Sequence, residues 1–243
     1  MADDLVLFDL PGQQGSCWSP NTWKVRAYLN YKKIPYRTEW IEYPDIEPKC
    51  KELGIPANPP DDFAPYTVPF VKFPDGSYLM DSLTIVKRLE AEHPEPALPL
   101  ETELAQAVSA ANSKVVAPLW AILLAGIRRG VVSPGSDEWF KKDRERRMGQ
   151  PEEVFASEQA KAQAFKAAEP RQAEVAAFLK QCKKDDGPFL RGSQVSYADF
   201  GVAGWVEMLS LIGGDLYQKC IVEIPGMLEV RQACQPWFER KGE

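Results

Sequence analysis

The sequence has few of the residues from which metal sites and disulfide frameworks are built. It contains one histidine, His93, and five scattered cysteines with no C-x-x-C pair among them. Zinc sites draw their ligands from clustered cysteines and histidines, so no metal centre is expected. An odd, unpatterned set of cysteines is typical of a reducing compartment rather than of a disulfide-stabilised secreted domain.

The sequence also lacks a long apolar run and an excess of basic residues. The longest apolar stretch, VVAPLWAILLAG from Val115, contains Pro118 and is shorter than the roughly 18 residues of a membrane span. The N-terminal MADDLVLFDL has acids where a signal peptide has basic residues, and the C-terminal ERKGE has no lipidation motif. The formal net charge of −6 argues against nucleic acid or an anionic membrane as a partner. We therefore expect a cytoplasmic protein.

The first ninety or so residues alternate between strand and helix patterns. Ser19 and Pro20 are typical of a helix start, with serine at the N-cap and proline at the first helical position. Pro74-Asp75-Gly76 is a turn between two short strands, which predicts a hairpin. The predicted elements are strands at 5–8 and 36–43, helices from 19 and at 45–53, the hairpin, and a helix at 81–92. The order is βαβα–ββα, a mixed sheet with helices.

A proline-rich segment then divides the chain. The stretch HPEPALPL from His93 carries three prolines, which predicts a linker at 94–100 between a first domain at 1–93 and a second at 101–243. All patterns beyond it are helical, at 101–129 with a kink at Pro118, 137–148, 157–184 with Pro170 splitting or restarting the helix, 196–211 and 225–240. The fold class is α/β plus all-α.

Two features of the second domain bear on its packing. Ser196-x-x-Asp199 is a capping-box pattern, which predicts the start of a buried central helix. The basic run from Lys141 to Arg147 is typical of a solvated helix face.

The stretch YTVPFVKFPDGSYLMDS from Tyr66 predicts a binding site. Proline inside an apolar, β-branched run removes a ladder donor, which is useful if the neighbouring backbone is offered to a ligand. Asp81 and Ser82 at a helix start supply free N–H groups, a hydroxyl and a positive dipole end, which together hold a carboxylate. The site suits a small peptide.

Four segments in this order resemble the cytosolic glutathione transferases. They are SPNTWKVRAYL from Ser19, TVPFV around Pro69, Asp81-Ser82, and GPFLRGSQVSYADF from Gly187. They span both domains, so the resemblance covers nearly the whole chain. The segments WSPNTWK, EYPDIEP and YTVPFV…DS look most like a fungal-specific class that is related to bacterial glutathione-dependent β-aryl etherases.

The resemblance implies a fold and a set of site residues. It implies a thioredoxin-like N-terminal domain that binds glutathione, a helical C-terminal domain that helps to form the acceptor pocket, and a homodimer. The Val68–Pro69 bond is expected to be cis, with the Val68 backbone pairing with the cysteinyl part of glutathione. Asp81 and Ser82 match the positions that bind the γ-glutamyl group of glutathione, and Ser19 matches the position that contacts its sulfur.

Several alternatives are open at the sulfur site. Ser19 is either a hydrogen-bond donor to the thiolate or only an N-cap, and Asn21 is either a second donor or an ordinary first-turn polar residue. Ser16 is a weaker alternative donor. Cys17 is either a redox residue near a helix start or a packed loop residue.

Two of the tryptophans, together with Cys17, are candidates for the acceptor pocket. Trp18 lies beside the proposed sulfur site, and Trp120 lies next to the expected bend at Pro118; otherwise both are core residues. The expected activity is conjugation of glutathione to hydrophobic electrophiles, with β-aryl ether cleavage as a variant. The competing interpretations are a non-catalytic ligandin that binds aromatic compounds and a transferase-like domain without a glutathione site.

Overall fold

The N-terminal part of the chain is built on one four-stranded sheet. The computed structural model describes residues 5–13, 15 and 17–239. The strands are β1 (Leu5–Asp9), β2 (Tyr36–Trp40), β3 (Phe70–Lys72) and β4 (Tyr78–Met80), in the order β2-β1-β3-β4. β1 is parallel to β2 and antiparallel to β3, and β3 and β4 form the antiparallel hairpin. Every residue of β1 is buried, as a central strand requires.

Three helices complete this part: α1 (Pro20–Lys32), α2 (Tyr43–Glu52) and α3 (Ser82–Glu92). A fully buried ion pair, in which Arg26 of α1 donates to Asp9 of β1 over 2.9 Å, ties α1 to the sheet. Arg26 also donates to the hydroxyl of Thr38 on β2 over 3.0 Å. The order βαβα–ββα and the thioredoxin-like fold predicted from the sequence are confirmed. Helix α2 begins two residues earlier than predicted.

Residues 93–101 contain no helix or strand, and the rest of the described chain is helical. The helices are α4 (Thr102–Val116), α5 (Trp120–Gly130), α6 (Asp137–Met148), α7 (Glu152–Phe155), α8 (Glu158–Cys182), α9 (Tyr197–Ile212), α10 (Gly214–Tyr217) and α11 (Met227–Ala233). Short 3-10 turns lie at Ala117–Leu119 and Gln235–Trp237, and one turn of π-helix lies at Gln218–Val222. The last predicted helix, at 225–240, is therefore much shorter than expected.

The two internal prolines have different effects. The expected kink at Pro118 is confirmed, because a 3-10 turn separates α4 from α5 there. The expectation that Pro170 splits or restarts a helix is wrong, since α8 runs through it for 25 residues. Proline removes one backbone donor from a helix. The buried residues Phe165, Ala168, Val175 and Leu179 on both sides of Pro170 keep one continuous face against the core.

Helix α9 is the predicted buried centre of the helical part. The Asp199 carboxylate accepts from the N–H of Ser196 over 2.8 Å and from the N–H of Leu190 over 2.7 Å, which confirms the capping box. Burial raises the pKa of Asp199, partly offset by these hydrogen bonds. A Cβ on Gly204 would lie 2.9 Å from Cβ of Trp23 and 3.1 Å from the carbonyl oxygen of Pro20. Glycine at this position lets α9 press directly on the start of α1.

One helical stretch has the length and composition of a membrane span. It is Thr102–Gly130, in which the 3-10 turn joins α4 to α5, and its apolar window is 39% buried. The sequence predicted no such stretch because of Pro118. A core helix of a soluble protein meets the same criteria, and part of this stretch, including Val108, Trp120 and Ile127, lines a cavity.

Candidate functional site

A cavity of about 780 Å³ lies between the sheet-based part and the helical part. One wall is the start of α1, from Trp18 to Lys24, together with Tyr43 and Thr67. The opposite wall is formed by α4, α5, α6 and α9 and is mostly apolar, with Val108, Val116, Ala117, Trp120, Leu123, Leu124, Ile127, Phe140, Val202, Trp205 and Met208. The cavity thus joins a polar helix start to an apolar pocket.

Ser19 stands at this helix start but its side chain does not cap the helix. Its backbone has the extended N-cap conformation, Pro20 is at the first helical position, and the carbonyl of Ser19 accepts from the N–H of Trp23 over 2.9 Å. The Ser19 hydroxyl makes no capping hydrogen bond within the described part of the chain, and it lines the cavity with the residue 7% exposed. The hydroxyl and the first amides of α1 are therefore available to a ligand.

Asn21 and Lys24 follow on the same face of α1. The Asn21 Oδ1 accepts from the Lys24 ammonium over 2.9 Å, which leaves the Asn21 amide NH₂ as a donor at the cavity wall. Burial lowers the pKa of Lys24, and the charge of Asp81 opposes that change. Lys24 was not singled out from the sequence, although its position one turn beyond Asn21 places it on the same helix face.

The second predicted feature lies beside the first. The Val68–Pro69 bond is cis, as expected, and within the described residues the amide and carbonyl of Val68 have no hydrogen-bond partner. Asp81 has a φ of +81° and is the N-cap of α3, where its carboxylate accepts from the N–H of Thr84 over 2.8 Å. A non-glycine residue with positive φ is rarely found away from functional sites or turns.

Ser82 is linked to the helical part. The Tyr197 hydroxyl donates to the Ser82 hydroxyl over 3.0 Å, and both residues are buried. Burial raises the pKa of Tyr197, so the phenol stays protonated. Tyr197 is the first residue of α9 and also lines the cavity. This contact joins residues 115 positions apart, so no local pattern indicates it.

The candidate pocket residues divide into two groups. Trp18 and Trp120 line the cavity; Trp18 is buried, whereas Trp120 is 39% exposed and meets Phe63 edge to face with ring centroids 6.5 Å apart. Cys17 is 2% exposed and is not among the cavity-lining residues. Ser16 lies outside the described residues.

Arg144 on α6 was expected to face solvent, and this expectation is wrong. The residue is 7% exposed, it lines the cavity, and its guanidinium carbon lies 4.3 Å from the centroid of the Phe140 ring. The aromatic rings of Phe140, Tyr43 and Phe63 cover the guanidinium, which is why the charge pattern of the helix does not reveal its burial. The other arginines of the run, Arg146 and Arg147, are more exposed.

Comparison with known proteins agrees with this geometry. Residues 18–92 match the family model for the glutathione S-transferase N-terminal domain, and residues 104–219 match the model for the glutathione S-transferase C-terminal domain. The chain belongs to the cytosolic glutathione transferase superfamily.

Three relatives of this transferase come from fungi. A glutathione S-transferase of Ceriporiopsis subvermispora, CsGST63524, was solved in complex with glutathione; it is 28% identical, with a TM-score of 0.82 over 98% of this chain and 99% of that one. GSTFuA3 from Phanerochaete chrysosporium is 29% identical, with a TM-score of 0.80 over 98% of both chains. The glutathione S-transferase-like protein ustS of Aspergillus flavus is 28% identical over 98% of this chain and 91% of that protein.

Glutathione is bound in two of the fungal transferase structures, CsGST63524 and CsGST83044 of Ceriporiopsis subvermispora, each 28% identical to this chain. The superfamily is a soluble one. Among the described residues, no group of three or more histidine, cysteine, aspartate or glutamate side chains is arranged to hold a metal ion.

Proposed function

We propose that this transferase is of the serine type and that Ser19 activates the thiol of glutathione for attack on hydrophobic electrophiles. The observation that carries the proposal is the Ser19 hydroxyl, which stands at a helix start and lines the cavity without capping the helix. A serine that served only as an N-cap would accept from an amide of the first turn.

The energetic requirement matches what the site offers. A free thiol has a pKa of about 8.5, and lowering it by about two units requires about 2.7 kcal/mol of preferential thiolate stabilisation. A hydroxyl that donates to the thiolate supplies about 1.5–3 kcal/mol. The dipole at the start of α1 adds about 0.3–1 kcal/mol. Asn21 is the proposed second donor, through the NH₂ group that its contact with Lys24 leaves unused.

The rest of glutathione is proposed to bind along residues 66–82. The unpaired amide and carbonyl of Val68, next to Pro69, pair with the cysteinyl backbone, and Asp81 and Ser82 at the start of α3 hold the γ-glutamyl group. These residues lie in the proposed glutathione domain, 1–93, which the linker 94–100 joins to the acceptor domain, 101–243. We further propose a homodimer in the cytoplasm.

The acceptor is proposed to bind against the apolar wall of the cavity, where Trp18 and Trp120 contact it. In the reaction the thiol loses its proton to solvent, the thiolate sulfur forms a bond to an electrophilic carbon, and the leaving group departs with its bonding electrons. With a β-aryl ether as acceptor, the leaving group is a phenolate, so ether cleavage uses the same activated sulfur. The apolar lining supports a hydrophobic acceptor in either reaction.

A ligandin is the second candidate function. The cavity, at about 780 Å³, falls within the range of small-molecule sites and has room for an aromatic compound beside glutathione. This role requires the pocket but no thiol activation.

Conjugation kinetics distinguish the two functions. We expect wild type to conjugate 1-chloro-2,4-dinitrobenzene and Ser19→Ala to lose about tenfold to a hundredfold in kcat/KM, with a much smaller rise in the dissociation constant of glutathione. Equal activity in both proteins would refute the role of Ser19. Binding of aromatic compounds with no conjugation in wild type would favour the ligandin.

A further inference from the structure

We propose that Arg144 anchors an anionic group of the acceptor, and that the protein's acceptors are therefore aromatic acids. The inference rests on the proposed function and specifies the substrate class of the same cavity. It depends on the charge of the cavity wall, on the surroundings of Arg144 and on where Arg144 lies relative to the glutathione residues.

The charged side chains that line the cavity are all positive. Lys24 and Arg144 are the two cationic residues that line the cavity, and within the described chain no aspartate or glutamate lines it. The only other ionisable groups there are phenols. Tyr43 is a phenol whose pKa burial raises to about 12, so it is neutral and can donate. An apolar cavity with cations and no acids favours an apolar ligand that carries a negative charge.

Arg144 is held in place but only partly satisfied. It donates to Asp143, and its guanidinium carbon lies 5.7 Å from the centroid of the Tyr43 ring. Its Nε has no hydrogen-bond partner among the described residues, but the same holds for Nε of Arg26, Arg128 and Arg191, so this atom does not by itself indicate a ligand. The guanidinium borders the cavity, and a carboxylate is the group that complements a guanidinium best.

The counter-charge of Arg144 is shared with its neighbours. Asp143 also accepts from Arg146 over 2.7 Å and from Arg147 over 2.7 Å. One carboxylate is therefore shared by three guanidinium groups, and the segment 143–147, with two acids and three arginines, keeps one excess positive charge. A ligand that brings its own negative charge lowers this imbalance.

The position of Arg144 in the fold favours contact with the acceptor over contact with glutathione. The proposed glutathione residues lie at the start of α1, at 68–69 and at 81–82. Arg144 lies on α6, with its guanidinium carbon 5.4 Å from the centroid of the Phe63 ring. The Phe63 ring in turn meets the ring of Trp120 at the mouth of the apolar pocket. The aromatic rings of Phe63, Phe140 and Trp120 can cover an aromatic ring while its acid group reaches Arg144.

Calorimetric titration with a matched ligand pair tests the proposal. 1-Naphthoate and 1-naphthamide have the same ring and nearly the same size, but only naphthoate is charged. Both are titrated into protein saturated with S-methylglutathione, which fills the glutathione site and offers no thiol. We expect wild type to bind naphthoate about tenfold or more tightly than naphthamide. Equal affinities in wild type overturn the proposal, whether or not any variant folds.

Three variants assign the preference to one residue. Arg144→Met should abolish the preference by weakening naphthoate alone, and Arg144→Lys should retain part of it. Lys141→Met is the matched control, because it removes a cation from the same helix that does not line the cavity. If Arg144→Met weakens both ligands equally, or weakens only S-methylglutathione, the proposal is wrong. Failure of wild type to bind glutathione at all would instead refute the proposed function.

Discussion

The phenol of Tyr197, the first residue of α9, donates a hydrogen bond of 3.0 Å to the hydroxyl of Ser82, the first residue of α3. This bond joins the helical part to the position proposed to hold the γ-glutamyl group. Because both side chains are buried, the orientation of the Ser82 hydroxyl depends on a residue of the other domain.

Removing this hydrogen bond should weaken glutathione binding. Tyr197→Phe leaves the Ser82 hydroxyl without its donor, which costs about 0.5–1.5 kcal/mol, or about threefold to tenfold in the dissociation constant. Calorimetric titration of glutathione measures the change. Tyr217→Phe is the control, since the Tyr217 hydroxyl makes no hydrogen bond within the described residues and lies outside the cavity. Identical affinities for both variants would refute the coupling.

The contact between Glu42 and the segment before α6 should be important for stability. Ser133 and Ser136 both donate to the Glu42 carboxylate, and the Tyr43 N–H donates to the Ser136 hydroxyl over 2.9 Å. Glu42→Gln replaces the charge-assisted hydrogen bonds of the carboxylate with weaker ones to a neutral amide, so we expect a loss of about 1–3 kcal/mol in the free energy of unfolding. Denaturant unfolding tests this, with the exposed Glu39→Gln as a control that should change little. Equal effects of the two substitutions would contradict the prediction.

The arginine cluster on α6 predicts a dependence of stability on pH. Burial acts to raise the pKa of Asp143, but hydrogen bonds from Arg147 and Arg146 outweigh it and lower the pKa. A lowered folded-state pKa means that the stabilisation is present above the unfolded value, about 3.9, and is lost as the pH falls through the folded value.

Asp143→Asn should therefore destabilise the protein near neutral pH and have little effect in strong acid. We expect a difference from wild type of about 1–3 kcal/mol at pH 6 that shrinks below about pH 4. Urea unfolding over this pH range measures it. Glu138→Gln, at an exposed ion pair, is the control and should change stability little. A difference for Asp143→Asn that is independent of pH would contradict this interpretation.

The aromatic contact at the mouth of the cavity should affect the acceptor and not glutathione. Trp120→Ala removes the ring that meets Phe63, so we expect KM for 1-chloro-2,4-dinitrobenzene to rise about threefold to tenfold. The dissociation constant of glutathione should not change. Leu211→Ala is the control, because Leu211 is similarly exposed but does not line the cavity. A change in glutathione affinity without a change in KM for the acceptor would show that Trp120 contributes to the glutathione site, which would contradict this prediction.

The local features of the fold and site were predictable from the sequence. The Ser196 and Asp199 pair, the Pro74-Asp75-Gly76 turn and the start of α1 each depend on neighbouring residues, and the structure has all three. The cis bond before Pro69 was expected from the resemblance to the family and is present. The position of Ser19 at the cavity was likewise expected from that resemblance, because the helix start alone favoured an ordinary N-cap.

The features that were missed depend on distant contacts. Arg144 belongs to a charged run that is typical of a solvated helix face. Its guanidinium is covered by Phe140, one turn earlier on α6, and by the rings of Tyr43 and Phe63, which are far away in sequence. Pro170 remains inside α8 because of the packing of its neighbours, which local propensity does not describe. The hydrogen bond between Tyr197 and Ser82 also joins residues that are far apart in the sequence.

The measurement that tests the central claim most directly is the ultraviolet difference absorbance of the thiolate when glutathione is titrated in at neutral pH. The titration is made with wild type, with Ser19→Ala and with Ser109→Ala, a cavity-lining serine on α4 as control. We predict thiolate absorbance with wild type and Ser109→Ala and its loss with Ser19→Ala. Saturable glutathione binding without thiolate absorbance in any of the three proteins would contradict thiol activation by Ser19.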